Sequence, residues 1–431
     1  MSSRGVVVAV LALGLVRTAA AGEPAPAAAA SPPPEAPAAA PTPVPADDPL
    51  HVYVMTMGPG DHPFFRFGHN AIWIRDTAAR TDRIYNFGTF RFDSPRLIFD
   101  FLGGRLNYWL SVSSSLPHVV ADYANENRSV ALQELNLAPD KKAALQAALV
   151  VNARPENRLY KYDYFLDNCS TRVRDAVDRV ADGRLRASAA APGRLTLRGH
   201  ALRMTAQPLW LYIALNMVLG PNVDRPIDQW AEMFLPGELS RGLAAAQLVS
   251  AEQVAFQAAR PPALEAPPAF GTRFFAAGVG LAFLFLGLGT AGRISRVARV
   301  AAGLLTAVWG LAVGFIGCFL IYAWAFTDHV VAHRNQNILL CAPWAIALVV
   351  LGVGVALGRP GATRKALVLS LAALGAALLA AALKVGIVAH QENGVLVAFF
   401  VPAWAGVTAA MLQLRYAAAF GTSRGFGTSR P

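Results

Sequence analysis

The chain has 431 residues, a formal net charge of +11, 55% hydrophobic residues and only 15% charged ones. Soluble domains carry roughly 25% charged residues. Here apolar residues crowd the two ends with the charges between them, which excludes a single soluble globule and a mostly disordered chain. Three cysteines, Cys169, Cys318 and Cys341, are too few and too scattered for a disulfide framework or a cysteine-based metal site.

In chain order, Arg4, the apolar run at 6–16 and the small residues Ala19, Ala20 and Ala21 read as an export signal over 1–21, either cleaved or kept as an anchor. Residues 22–48 are mostly Ala and Pro, a composition with no buriable face, and read as a disordered linker. From 49 to 267 the composition is that of a mixed α/β domain. β-branched and aromatic content predicts strands at 51–57, 70–74, 83–90 and 159–165. Helices are expected at 96–110, at 138–151 (opened by Pro139-Asp140, stopped before Pro155) and at 169–180, ending near Gly183. The apolar stretch 209–219 is too short to span a bilayer and fits a core helix or an element lying in the bilayer surface.

Over 268–418 the chain changes solvent. Apolar runs at 274–291, 300–326, 338–357, 366–389 and 395–411 are each long enough for a hydrocarbon core of ~30 Å. Arg293, Arg296 and Arg299, then Arg359, Arg364 and Lys365, then Arg415, Arg424 and Arg430 all fall on one side of an alternating count, which makes that side, with a tail at 419–431, cytoplasmic. The opposite side receives the 49–267 domain and the loop 327–337. Because much of the basic balance is this loop bias, a nucleic-acid partner is not expected. Cys318, deep in a Gly-rich span, reads as small-residue packing. Cys341 lies near the outer interface, within conceivable reach of Cys169, and Lys384 and His390 read as side chains snorkelling to the interface.

Chemistry concentrates in two places. Phe67-Gly68-His69-Asn70-Ala71-Ile72-Trp73-Ile74 puts a histidine at the head of an apolar strand. Tyr162-Asp163-Tyr164-Phe165-Leu166-Asp167-Asn168-Cys169-Ser170-Thr171 opens a helix on a lone cysteine, with Asn168 or Asp167 as its cap. A helix N-terminus stabilises a thiolate and a nearby imidazole takes its proton, so Cys169 is either a nucleophile or a buried structural cysteine. Arg172, Arg174 and Asp175 fit i,i+3 surface pairs or a lipid phosphate contact. His329 and His333, four apart, have no clear further metal ligand.

The order His-on-strand, Cys-on-helix, with an Asn-Cys pair, resembles the circularly permuted papain-like enzymes, including lecithin–retinol acyltransferase. More specifically, F-G-H-N-A-I-W-I, Y-N-F-G-T-F, Y-D-Y-F-L-D-N-C-S-T-R-x-R-D and R-P-I-D-Q-W-x-x-x-F-L-P resemble the Lnb family of bacterial apolipoprotein N-acyltransferases. That resemblance implies an α+β permuted papain-like periplasmic domain followed by an all-α five-helix transmembrane domain of the inner membrane. It implies Cys169 as nucleophile and His69 as general base and acid. Asn86, with Tyr85 behind it, is a candidate to orient the imidazole, and Asn168 and Ser170 are orienting or oxyanion candidates. Arg66, His329, His333, Asn335 and Asn337 are candidates for lipid or headgroup binding, the last four alternatively for holding the catalytic domain. Phe64, Phe65 and Phe67 offer an apolar patch beside the site. The implied reaction moves an acyl chain from a membrane phospholipid, through a Cys169 thioester, to the α-amine of a diacylglyceryl-cysteine apolipoprotein, with no metal and no organic cofactor. A papain-like cell-wall amidase or peptidase, a phospholipase and a non-enzymatic envelope scaffold remain as other classes.

Overall fold

Alternating apolar residues build the sheet that positions everything else. A computed structural model describes residues 48–90, 100, 103–105, 107–384 and 391–421. The export signal, the linker to residue 47, part of the helix expected at 96–110, His390 and the tail beyond 421 lie outside these residues. Strands β1 (Leu50–Met57), β2 (His69–Asp76) and β3 (Thr81–Thr89) follow one another as antiparallel neighbours. With β4 (Asn107–Ser113), β5 (Val130–Glu134), β6 (Leu159–Lys161) and β7 (Gln253–Phe256) they form a seven-stranded sheet, order β6-β4-β3-β2-β1-β5-β7.

Side chains two apart share a face. Val52, Val54, Ile72, Ile74 and Tyr85 pack on one side with Val173 and Val177 of helix α3 (Cys169–Val180). Met55, Met57, Ala71, Trp73 and Ile84 pack on the other with Val119 of α1 (Leu116–Asn125). Full burial of an aliphatic side chain contributes about 1.5–3 kcal/mol, so Val173 and Val177, both completely buried, hold α3 on the sheet. Helix α2 (Pro139–Asn152) also packs here. Its Lys142 is buried and ion-paired to Asp48 at 2.8 Å, so Asp48, assigned to the linker from composition, is a fixed part of the domain.

Two expectations are corrected in this region. Residues 107–110 form strand rather than helix, because Tyr108 and Leu110 point into the α3-side core while β4 pairs with both β3 and β6. The strand expected at 159–165 ends at Lys161. The Asp163 carboxylate accepts from the N–H groups of Phe165 and Leu166 at 2.9 Å, and such a side-chain turn competes with the ladder.

Short helices α4 (Arg184–Ser188), α5 (Leu197–Met204), α6 (Leu209–Val218), α7 (Gln229–Glu232) and α8 (Pro236–Ala245) complete the α+β domain. The chain then supplies five segments long and apolar enough to cross a membrane, which makes it a multi-pass membrane protein. They are α9 (Gly271–Ala291), α10 (Arg296–Phe326), a third segment over Gln336–Ala356, α12 (Pro360–Ala382) and α13 (Gly394–Gly421). Only the second half of the third is α-helical (α11, Leu348–Ala356); its first half is short 3₁₀ turns at Gln336–Leu339 and Pro343–Ala347. Pro343 lacks an amide hydrogen and cannot continue a helical ladder.

Small residues let α10 approach that irregular stretch closely. A Cβ added to Gly314 would meet Ile346 N, and one on Gly317 would meet the Cys341 carbonyl. Cys318 is exposed, so the packing role expected of it belongs to its glycine neighbours. Cys341 is buried in the membrane-domain core with its Sγ against Met217 Sδ at 3.9 Å. All three cysteines are free.

Candidate active site

Cys169 is the first residue of α3, and Asn168 caps that helix. Asn168 Oδ1 accepts from Thr171 N–H at 2.9 Å while Asn168 N–H donates to Thr171 Oγ1 at 2.7 Å. The Asn168 amide also donates to the carbonyls of Tyr164 (2.8 Å) and Phe234 (2.9 Å). Asn168 is thereby committed to holding the helix start. Asp167 pairs bidentately with Arg172 at 2.6 and 2.8 Å, and that guanidinium sits 3.6 Å over the Tyr160 ring. Arg174 is buried, donates to Asp175 Oδ1 at 2.8 Å and to Trp230 O, and stacks on the Trp230 indole at 4.0 Å, so Asp175 pairs with its neighbour Arg174 rather than at i,i+3 with Arg172.

His69 opens β2, immediately before Asn70. Buried Asn70 joins the two halves of the site. Ser170 Oγ donates to Asn70 Oδ1 at 2.7 Å, and the Asn70 amide donates to Met55 O at 3.1 Å and Thr56 Oγ1 at 2.9 Å. This bond links the residue after His69 to the residue after Cys169, fixing imidazole and sulfur side by side. No sequence motif singles out Asn70 for that task, and Ser170 is spent on it.

His69 Nε2 donates to Asn86 Oδ1 at 2.5 Å, which leaves Nδ1 for Cys169, with which the ring forms a hydrogen bond. Tyr85 points to the opposite face of β3, into the core beneath α3, so it does not share the orienting position with Asn86. The β3–β4 register shifts between Asn86 and Thr89 around Gly88, whose φ is +86°. A Cβ there would lie 3.6 Å from Cys169 Cβ and 3.5 Å from the Tyr162 ring, so the left-handed backbone, rather than crowding alone, calls for glycine.

Burial pushes the Cys169 thiol up. The His69 charge and hydrogen bond outweigh it, helped by N–H groups of Asn70 and Ser170, and bring it down to about 7. Burial pushes His69 down, but the facing Cys169 charge and the hydrogen bonds to Cys169 and Asn86 leave it raised overall. The two shifts are one coupled titration, and they favour a thiolate–imidazolium pair, the reactive form of a cysteine nucleophile. Asn86→Ala removes the group that orients the ring, and a misplacement of roughly 1 Å can cost about 10²-fold. Reaction of Cys169 with an activated-ester probe in the full chain is expected to slow on that scale, whereas Asn86→Asp retains part of the rate.

The pair faces a cavity of about 630 Å³. Its walls include Phe64, Phe65 and Phe67 before β2, Leu211 and Leu215 of α6, and Phe319 and Ala323 of α10, so the α+β domain and a helix long enough to span a membrane enclose it together. Leu209 and Trp210 of α6 are exposed (45% and 58%), while Tyr212 packs edge-on against Phe270, 5.1 Å between rings. The helix therefore lies along the junction, not inside the domain core.

Among the lipid-binding candidates, His329 lines the cavity and stacks on Tyr164 at 5.9 Å, and His333 reaches the Thr327 carbonyl at 3.3 Å. Asn335 and Asn337 do something else. Asn335 donates to the carbonyls of Met217 and Val218, both at 2.8 Å, and Asn337 to those of Asn216 and Met217 at 3.0 and 2.8 Å. Their amides satisfy the end of α6 and dock the α+β domain on the membrane domain, the domain-holding alternative for these two residues. Lys384 donates to Gln391 O. Asn337→Leu would remove one of the two bonds at each of the Asn216 and Met217 carbonyls and strand the buried Asn393 amide, which donates to Asn337 Oδ1 at 2.6 Å, a cost of about 1–3 kcal/mol. Thermal unfolding in detergent is expected to show the loss, with Cys169 still open to alkylation. Arg66 is not among the cavity-lining residues and faces Asp61 at 3.8 Å. The arginine that does line the cavity is Arg128, which belongs to none of the motifs.

Residues 46–202 match the family model described as the Lnb N-terminal periplasmic domain, a stretch that holds His69, Asn86, Arg128 and Cys169. No curated protein and no solved structure matches the chain.

Proposed function

We propose that the chain is an apolipoprotein N-acyltransferase of the bacterial inner membrane, with a permuted papain-like catalytic domain in the periplasm and a cytoplasmic C-terminus. The observation that carries this reading is a polarised Cys169–His69–Asn86 array opening into an apolar cavity that a membrane-spanning helix helps to wall. A wall hydrolase needs only an anchor and a polar cleft; an acyl donor delivered from the bilayer needs this cavity. The basic loops flanking α10 and α12 favour the cytoplasmic side, which sets the catalytic domain opposite.

In the first half-reaction the Cys169 thiolate attacks an ester carbonyl of a phospholipid. Backbone N–H groups at the start of α3 stabilise the oxyanion. The tetrahedral intermediate collapses by breaking the carbonyl–alkoxide bond, the His69 imidazolium gives its proton to the leaving oxygen, and a lysophospholipid departs. In the second, the α-amine of a diacylglyceryl-cysteine attacks the thioester, neutral His69 takes a proton from the nitrogen, and the carbon–sulfur bond breaks to regenerate the thiolate. A thioester suits this division because it holds the acyl group in a form reactive toward amines. No metal or organic cofactor is required.

Purified enzyme with radiolabelled phospholipid and a diacylated lipopeptide tests the reading. A label on Cys169, discharged to the lipopeptide amine, is the expected result. Free fatty acid without amine transfer indicates a phospholipase, cleavage of peptidoglycan fragments instead indicates an amidase or peptidase, and labelling that survives Cys169→Ala sinks the mechanism.

A further inference from the structure

Resting on that reading, we propose that Arg128 is the receptor for the donor's phosphodiester, the group that orients the lipid so that an ester carbonyl meets Cys169. Arg128 lines the reaction cavity and is only 3% exposed. Its Nε donates to Gly58 O at 2.9 Å and its Nη1 to Glu126 Oε2 at 3.1 Å; among the described residues no hydrogen bond takes up Nη2. The guanidinium lies between two aromatic faces, 4.9 Å from the centre of Phe65 and 4.6 Å from that of Tyr123. Tyr123 in turn stacks on His69 at 6.4 Å. One ring therefore separates the cation from the catalytic imidazole.

An acyl chain alone gives no reason for this arrangement. A buried cation is costly unless it is paired and its donors are used. The one carboxylate bonded to Arg128, Glu126, is half exposed to solvent, and the nearby Asp61 carboxylate faces Arg66 and Arg260. A phosphodiester would supply the missing anion, and the planar guanidinium suits its oxygens. The aromatic faces that hold the guanidinium fix its plane at little entropic cost. With phosphate at Arg128 and ester at Cys169, the acyl chain runs toward Leu211, Leu215 and Phe319 on the membrane side of the cavity. A phosphate-free diglyceride would have the same chains and esters but no group for Arg128.

The test compares Cys169 acylation by phosphatidylglycerol and by diacylglycerol of identical chains, in the full-length enzyme in mixed micelles. The wild type is expected to prefer the phospholipid by about 10- to 100-fold, the scale of hydrogen bonds to a charged group. Arg128→Gln should collapse that ratio toward one through the apparent KM, and Arg128→Lys should restore part of it. A purely structural Arg128 would lower both rates and leave the ratio intact, which overturns the proposal. So does a wild type acylated equally by both lipids, an outcome that needs no variant to fold and spares the thioester mechanism. A wild type acylated by neither lipid removes the acyltransferase reading itself, and this proposal with it.

Discussion

Alanine at position 169 is expected to reduce acyl transfer by on the order of 10⁶-fold, the scale on which removal of a nucleophile disables a concerted catalytic unit. The serine variant should fare little better, since a hydroxyl beside His69 is not ionised near neutral pH as the thiol is. The electrostatics add a sharper form of the prediction. With the thiol at about 7 against an ordinary 9.0, alkylation of Cys169 by iodoacetamide should titrate with a midpoint near pH 7, falling below it as the sulfur is protonated. The facing sulfur and the hydrogen bonds to Cys169 and Asn86 raise His69 against its burial, so each partner of the pair favours the charged form of the other. In His69→Gln the opposing charge is gone while burial still disfavours the thiolate. The alkylation midpoint must then move up, toward or beyond 9, and the thiolate fraction at pH 7 must fall. A midpoint that stays near 7 in His69→Gln would contradict the ion pair and assign the activation to the N–H groups of the helix start alone.

What sequence reading captured and what it missed follow from the range of the interactions. Strands β1 to β3 and the Cys169 helix are legible because their signals are local: apolar alternation, an asparagine cap, a glycine after the last turn. The proximity of His69 and Cys169 comes from the motif order, and Asn86 from lying one strand away. The cavity is not local. Leu211, Phe319 and the His69 motif meet only after the sheet, α6 and α10 have docked, and the loop of Asn335 and Asn337, whose bonds dock them, reads in sequence equally as a headgroup site or as a holding element. Arg66 attracted the phosphate assignment because it stands beside the histidine motif. Arg128 sits in an unremarkable Glu-Asn-Arg-Ser run and reaches the cavity by folding back over Tyr123. The irregular third span has a similar cause, since hydropathy registers apolar length and is blind to the amide that Pro343 lacks.

The second large effect is one of stability, centred on Arg198 in α5. Arg198 and Asp224 are both nearly fully buried (1% and 4% exposed), and the guanidinium is fully used. It donates to Asp224 at 2.5 and 3.0 Å, to the carbonyl and side chain of Asn216 at 3.2 and 3.1 Å, and to the carbonyls of Leu219 and Gly220 at 2.8 and 3.0 Å. Three of these acceptors are backbone groups at the end of α6, the helix that Asn335 and Asn337 grip from the membrane side. Gln391, just before α13, adds a bond to Leu219 O at 2.9 Å, and Glu392 N–H donates to Asp224 at 3.1 Å. Removing one partner of a buried pair leaves an uncompensated charge and costs about 3–5 kcal/mol. Arg198→Met is therefore expected to lower the unfolding temperature of the detergent-solubilised chain steeply and to expose α6 to protease. Leu215, Val218 and Leu219 line the reaction cavity, so acylation should fall with the fold around it. The double variant Arg198→Met, Asp224→Leu removes both charges together, and it should be less destabilised than the sum of the two single variants because neither charge is then stranded. Simple additivity would mean that the two side chains act independently and that no charge is stranded by removing its partner.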